Sequence, residues 1–472
     1  MQSEVTVKGY IRIERDESMS ETIAAIATPQ AAGGIGIVRI SGENACEIAD
    51  RVFTAADKTM LIDSNGYAAH FGHVYDDTEK IDDAIALVFK APKSYTGEDV
   101  VELQCHGGLY VIRNVLRSVL KHGARMADAG EFTRRAFENG KMSLTQAEAV
   151  MDLISAQGQQ AARAAINAME GKLYIKINRI KNDLIGYAAH LSAWADYPEE
   201  DLIPVDVDQL SCDLGKCVAE LNKMIADADA GKVIRDGVDT VIVGKPNVGK
   251  STLMNCLAGC ERSIVTHIAG TTRDIVEEKV VLGDVILRLA DTAGIHDTDD
   301  PVETIGVDRA LDRMNSAGLV IAVFDNSMPL DDDDRQLIEN LKGRSCVAVI
   351  NKTDISGSLD TSFITESISR TVYISAKNES GIEELSKAIS DILGVSNLNP
   401  ADGILSGERQ INCCRNCLNM VADAQNALNG GMTLDAVNIS IDCAIQYLLE
   451  LTGEKVTEVV TDAVFHHFCV GK

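Results

Sequence analysis

The sequence has no run of 18 apolar residues, so no bilayer-spanning helix is expected. It does not open on a secretory segment either, because the start, MQSEVTVKGYIRIERDE, is polar and charged. Basic residues are scarce: 44 Lys+Arg face 71 Asp+Glu, a net charge of −27. Phosphate binding needs clustered Lys and Arg, which excludes a general nucleic-acid coat. Metal-ligating pairs are also few among the twelve cysteines. The cluster Cys413, Cys414 and Cys417 contains one CxxC, but no second pair and no His at zinc spacing follow it. These three read as helix residues, and a reduced, cytoplasmic compartment is expected.

What remains is ordinary globular composition, 46% apolar and 24% charged. A chain of 472 residues accommodates about three domains at ~150 residues each. Residues 1–18 read as an extension, with a second plausible start at Met19. Residues 19–141 carry short apolar runs between Gly-rich turns (Ile35–Ile40, Ala84–Phe89, Val100–Gln104) and one helical pattern, Leu109–Lys121, which together predict an α+β domain. Residues 142–236 are Ala-rich with heptad-like apolar positions, the texture of a helical bundle. Strands and helices alternate over 237–394, predicting a mostly parallel sheet, and helical sequence returns over 395–472. The fold class expected is therefore α/β plus α, with a helical domain interrupted by an inserted α/β domain.

The strongest chemical signal is Gly244-Lys-Pro-Asn-Val-Gly-Lys-Ser251, which follows the apolar strand Thr240–Val243 and opens a helix. Asn247, Val248 and Gly249 would present backbone N–H groups to phosphates, with Thr252 next in the helix. Lys250 would reach the β and γ phosphates, and the Ser251 hydroxyl would ligate Mg2+. Three further motifs follow in order. Asp291-Thr292-Ala293-Gly294 follows a strand and faces Mg2+ and the γ-phosphate. Asn351-Lys352-Thr353-Asp354 follows Val347–Ile350, and its carboxylate can accept from both N1–H and N2 of guanine. Ser375-Ala376-Lys377 closes the base pocket. Four motifs in this order identify a Ras-like P-loop domain that takes GTP. Ras-type enzymes place Gln after DxAG to orient water; here Ile295 stands there, so another group must do so. Thr272, with Thr271 beside it, is the candidate to complete Mg2+ coordination.

These residues, with ATPxxxGGIGIVRISG (Ala27–Gly42), SYTGEDVVELQCHGG (Ser94–Gly108), GEFTRRAFENGKMSLTQAEAV (Gly130–Val150) and the terminal Phe468-Cys-Val-Gly-Lys472, resemble one family, the MnmE (TrmE) tRNA-modifying GTPases. Val470 and Ser143 depart mildly from its pattern. The resemblance implies that residues 19–141 form a folate-binding and dimerisation domain and that the GTPase domain is inserted into the helical one. It implies a homodimer that works in a heterotetramer with the FAD protein MnmG. Together they would place an aminomethyl or carboxymethylaminomethyl group on C5 of the tRNA wobble uridine, using a 5-formyl- or methylene-tetrahydrofolate one-carbon unit. Arg39, Glu102, Lys141 and Lys472 match the folate contacts; without the match each reads as a surface ion pair. K+ activation is implied as well, with Asn247, Thr266, Ile268 and Thr271 as K+ ligands. His267, Ala269 and Gly270 lie in the same nucleotide-binding loop. Glu303 matches the residue that orients the attacking water, against a plain reading as a solvated acid. Cys469 resembles a thiol needed for modification, and the competing reading is a buried, inert cysteine on a terminal helix.

Two other readings compete. A ribosome-assembly GTPase would carry an RNA-binding appendage or a second G domain, and neither pattern is evident. A folate-dependent transfer protein with a purely regulatory G domain differs only in whether hydrolysis is obligatory. The acidity is spread over the chain: residues 1–141 sum to −5, 237–394 to −11 and the remainder to −11. Two acid-free stripes, Arg113/Arg117/Lys121/Arg125 and Lys172/Lys176/Arg179/Lys181, are the places expected for local tRNA phosphate contact, against the bland reading of solvated helix faces.

Overall fold

A computed structural model describes residues 21–196, 204–259, 278–283, 285–289, 314–399 and 402–472. The chain forms two compact units. One comprises residues up to 151, 177–203 and 434–472; the other comprises 152–176 and 204–433. Helical sequence from both flanks of the α/β stretch contributes to each unit.

In the first unit, seven strands form one sheet: β1 (Ile23–Ile26), β2 (Ile35–Ser41), β3 (Phe53–Ala55), β4 (Ala68–Asp76), β5 (Glu79–Phe89), β6 (Val100–His106) and β7 (Arg125–Met126), in the order β3-β4-β5-β6-β2-β1-β7. All pairs are antiparallel except β1 with β7. β5 shows the alternation expected of half-buried strands. Val38, Ile40, Ala86, Val88, Val101 and Leu103 face a core closed by the helices Ala45–Val52 and Leu109–Lys121. The latter presents Ile112, Val115, Leu116 and Val119 to it, one helical face. On the opposite face of β2, β4 and β5, Ile35 (64% exposed), Phe71 (57%) and Ile85 (42%) remain uncovered. The helix Leu434–Thr452 runs antiparallel to the later part of Lys172–Asp196: Lys181 pairs with Glu454, and Asn438 Nδ2 donates to Ser192 Oγ at 3.0 Å.

In the second unit, β8 (Val238–Val243), β9 (Glu278–Leu282), β10 (Val285–Leu289), β11 (Leu319–Asp325), β12 (Cys346–Asn351) and β13 (Thr371–Tyr373) are ordered β13-β12-β11-β8-β10-β9. Only β9 is antiparallel to its neighbour. β11 and β12 are continuous apolar runs because parallel strands are buried on both faces. The 30-residue helix Val207–Asp236 is capped by the Asp206 carboxylate on Gln209 N–H and stopped by Gly237 at φ +77. There a Cβ would meet the Ile286 carbonyl at 2.6 Å, so only glycine turns the chain into β8. The helix Glu408–Asn429 packs antiparallel to Val207–Asp236, with Gln425 Nε2 donating to Ser211 O at 3.0 Å and Lys232 paired with Glu408. Its Cys413, Cys414 and Cys417 are buried, and burial pushes the Cys414 thiol up to about 12. They are core thiols, as the missing metal partners indicated. Among the described residues no cluster of His, Cys, Asp and Glu could hold a metal, and no helix is long and apolar enough to cross a membrane.

The structure corrects some members of each basic stripe. The first helix ends at Lys121, and Arg125 sits in β7, paired with Glu21, Asp128 and Glu131. Lys121 is neutralised by Asp76 and Asp77, and Arg117 lies 3.9 Å from Asp76. In the second stripe Lys181 is buried on Glu454. Helical spacing misled because acids such as Asp76, Asp77 and Glu454 come from other segments of the chain.

Arg135, 1% exposed, ties the first unit together. Its guanidinium reaches Glu98 at 3.2 Å, Glu131 at 2.9 Å and the Glu21 carbonyl at 3.0 Å. Burial pushes the Glu131 carboxyl up, but Arg125, the Asp128 N–H and Arg135 outweigh it and hold the group below its usual range. Replacing Arg135 by Met leaves Glu98 without its cation and takes one of two from Glu131, and a loss of about 3–5 kcal/mol is expected. Hydrogen exchange in β2 and β6 should accelerate accordingly; unchanged protection would show that the network carries no stability.

Candidate nucleotide and anion sites

The loop Gly244–Ser251 leaves the carboxyl end of β8, Asn351–Asp354 leaves β12, and Ser375–Lys377 follows β13. All three therefore reach the same edge of the parallel sheet, where such folds bind ligands. Gly249 has φ +98, and a Cβ there would meet Asn351 Nδ2 at 2.3 Å. Asn247 takes φ +65. Lys250 Nζ donates to the carbonyls of Gly244 (2.9 Å) and Lys245 (2.7 Å), so its ammonium lies over the loop where phosphate oxygens would compete for it. Ser251 and Thr252 are exposed in the first turn of the helix Lys250–Gly259, and Val248 is buried beneath the loop.

Asn351 is 2% exposed and satisfied on both sides of its carboxamide. Nδ2 donates to the Val248 carbonyl at 2.9 Å, and Oδ1 accepts from Ala376 N–H at 3.0 Å. Lys352, at φ +64, donates to the Asn247 carbonyl at 2.7 Å and pairs with Asp325 at 2.6 Å. Burial alone would push Asp325 up, but Lys352 and the Ser327 hydroxyl and N–H hold it below the usual carboxylate range. Ser375 Oγ donates to Asp354 at 2.7 Å, and this bond holds the Asp354 carboxyl low and ionised. Lys377 is exposed beside it. An ionised, solvent-facing carboxylate two residues beyond a lysine that bonds the phosphate loop suits a base with two adjacent donors, which guanine has. Thr266, His267, Ile268, Ala269, Gly270, Thr271, Thr272, Asp291, Thr292, Ala293, Gly294 and Glu303 lie outside the described residues.

Sequence reasoning missed Asp325 here. It ends β11 directly opposite Asn351 in register, and a polar residue closing an apolar strand at the ligand edge was its available signal. It also missed Lys245, which pairs with Asp331 and Asp334 at 2.5 and 2.7 Å and anchors the loop beside its phosphate-facing side.

In the first unit, Arg39 on β2 and Glu102 on β6 are direct cross-strand partners, and their side chains pair at 2.8 Å. Arg39 also donates to the Gly471 carbonyl at 3.3 Å, which brings the C-terminal residues to the same place. Gly471 needs φ +100, because a Cβ would meet the Ile26 carbonyl at 2.3 Å. Burial, and then Arg39, push the Lys472 ammonium below its usual range. Arg39, Glu102 and Lys472 thus lie beside one another, whereas Lys141 Nζ is held on the Pro92 carbonyl at 2.7 Å. The rings of Tyr95 and Phe132, unmarked by the sequence reading, each lie 5.6 Å from the Arg39 guanidinium and fix its plane. Two cations and one carboxylate at an aromatic wall suit a ligand that bears carboxylates and an amino-heterocycle. Cys469 is exposed and lies beyond the last helix, Glu458–Phe465, so the buried, helical reading of it falls.

Known proteins match this sequence along nearly the whole chain. A family model for the TrmE GTP-binding protein N-terminus matches residues 22–141, and one for the MnmE helical domain matches residues 144–469. The chain is 40% identical over 459 residues to a tRNA modification GTPase MnmE of Alkaliphilus oremlandii, covering 96% of this chain and 100% of that protein. A Bacillus cytotoxicus protein of the same description is 40% identical over 96% of this chain and 99% of its own length, and one from Clostridioides difficile is 38% identical over 96% and 100%.

Asp354→Asn is expected to weaken binding of a fluorescent GTP analogue by about 10- to 100-fold, since a charge-assisted bond contributes about 1.5–3 kcal/mol. Xanthosine triphosphate should gain affinity, because an amide complements a carbonyl. Unaltered nucleotide preference would remove the guanine assignment.

Proposed function

The chain belongs to the MnmE (TrmE) family of tRNA modification GTPases and is a GTP hydrolase, and on that premise we propose that it couples hydrolysis to modification of C5 of the tRNA wobble uridine. The observation that supports this reading best is the Asn351 carboxamide, which links the phosphate loop to the base-pocket loop at one sheet edge. An arrangement so joined can report the state of the phosphates to the base pocket and beyond.

In this reading Lys250 neutralises the β and γ phosphates, and Ser251 with Thr272 would hold Mg2+, which spreads phosphate charge when bound. Asn247, Thr266, Ile268 and Thr271 would hold K+, which substitutes for an arginine finger. Glu303 would orient the attacking water, the role Ile295 cannot fill. Asp291 and Gly294 would sense the γ-phosphate. Arg39, Glu102, Lys141 and Lys472 would bind a tetrahydrofolate derivative that supplies the one-carbon unit. Cys469, exposed near the tail, is available to the modification chemistry. The domain arrangement proposed is a folate-binding domain (19–141), a two-part helical domain (142–236 and 395–472) and an inserted GTPase domain (237–394). The partners proposed are the flavoprotein MnmG, tRNA and a second copy of the chain, in the cytoplasm. The uncovered Ile35, Phe71 and Ile85 on one sheet face support the homodimer.

Hydrolysis should be faster in K+ than in Na+ by roughly tenfold or more, given that one preorganised charge-stabilising group contributes about 10²–10³. Equal rates in the two salts would count against the K+ site. Nucleoside mass spectrometry of tRNA from cells carrying Glu303→Ala should show the wobble modification missing. Full modification with hydrolysis abolished would make the G domain regulatory only.

A further inference from the structure

Tyr110, 80% exposed, is the most exposed large apolar side chain among the described residues. It stands in the first turn of the helix Leu109–Lys121, which contains no acidic residue although the chain carries 71 of them. Arg113, one turn on and on the same solvent face, is exposed and has no ion pair among the described residues. The two cations that follow differ from it: Arg117 lies 3.9 Å from Asp76, and Lys121 is bonded to Asp76 and Asp77 at 3.0 and 2.6 Å. Positive charge on this helix is therefore cancelled at its C-terminal end and left free at its N-terminal end, beside a bare aromatic ring.

We propose that Tyr110 and Arg113 form a contact surface for one unstacked nucleotide of the substrate RNA, the ring stacking on the base and the guanidinium meeting the adjacent phosphate. The proposal rests on the tRNA reading above and names where this chain touches the substrate. Residues at i and i+3 on a helix lie about 5–6 Å apart, a spacing that lets one nucleotide engage both. Bases splayed from a single-stranded loop are recognised by stacking on aromatic rings, whereas duplex RNA offers no free base face. A protein of net charge −27 repels RNA elsewhere, so the contact is local and requires the one uncompensated arginine beside the ring. An apolar protein partner would instead find a guanidinium at the centre of its footprint with no carboxylate to meet it.

The test uses the full-length protein and fluorescence anisotropy with a labelled anticodon stem-loop, alongside a fully paired hairpin stem. Tyr110→Ala should weaken stem-loop binding about tenfold, within the ~1–3 kcal/mol of one stacked base, while Tyr110→Phe retains it. Arg113→Glu should weaken binding and lower the salt slope by about 1. Lys121→Ala, whose charge is already neutralised, should bind as wild type, and GTP hydrolysis should be unchanged in every variant. Wild-type binding by both Tyr110→Ala and Arg113→Glu, tighter binding of the paired stem, or a wild-type protein that does not bind the stem-loop would overturn the contact surface. Loss of flavoprotein binding with RNA binding intact would reassign the face to a protein and also overturn it. If wobble nucleosides stay dependent on this chain in any of those cases, the functional reading stands without the surface; if they are independent of it, that reading fails by itself.

Discussion

The nucleotide end of the second unit depends on one carboxamide. Asn351 closes β12 with its side chain pointing into the protein, where an unpaired amide would be costly. It is accommodated because it satisfies two backbone groups that lie 128 residues apart in sequence, the Val248 carbonyl and the Ala376 N–H. Around that link the remaining parts fall into place. Gly249 must lack a Cβ because the carboxamide occupies the space. Lys352 follows in a left-handed conformation and carries its ammonium to the Asn247 carbonyl and Asp325. Asp354 is then delivered to the Ser375 hydroxyl. The phosphate loop and the base pocket are thus one hydrogen-bonded object.

The first unit is organised by a comparable long-range contact of opposite chemistry. Arg39 and Glu102 meet because β2 and β6 pair in a register that places them opposite each other. The chain's last residues return to them through the Gly471 carbonyl and through a bridge between Ala129 and Val470. This cluster therefore joins strands β2 and β6 to the last residues of the chain. Arg135 supports it from below by holding Glu98 and Glu131, which fixes the segment carrying Tyr95. A charge so deeply buried is tolerated because two carboxylates, buried Glu131 and half-buried Glu98, face it.

Acidity shapes how both units can meet a polyanion. Several cations of the described surface are already matched by carboxylates, as Lys121 and Arg125 illustrate. An unmatched guanidinium such as Arg113 consequently counts for more here than it would on a basic protein, because nothing nearby competes with it for phosphate.

Much was legible in the sequence because it was local. The helix Leu109–Lys121 follows from its apolar spacing to the residue, and β12 follows from the continuous apolar run Val347–Ile350. The motif Gly244–Ser251 declares its chemistry because glycine, lysine and serine have no other common reason to stand in that order between strand and helix. Side-chain pairing across segments was not legible. The helix spacing of Arg113, Arg117 and Lys121 is identical in kind, yet Asp76 and Asp77, at the end of β4, neutralise only the last fully. Likewise the contacts of Asp325, Tyr95 and Phe132 cannot be read along the chain, since what they touch is set by strand register and loop packing. The sequence by itself determined the nucleotide chemistry and the element types, because these depend on residues within a few positions of one another. Only the tertiary structure decided which charges are paired and which stay free, because ion pairs form between segments that folding, not sequence order, brings within a few ångströms.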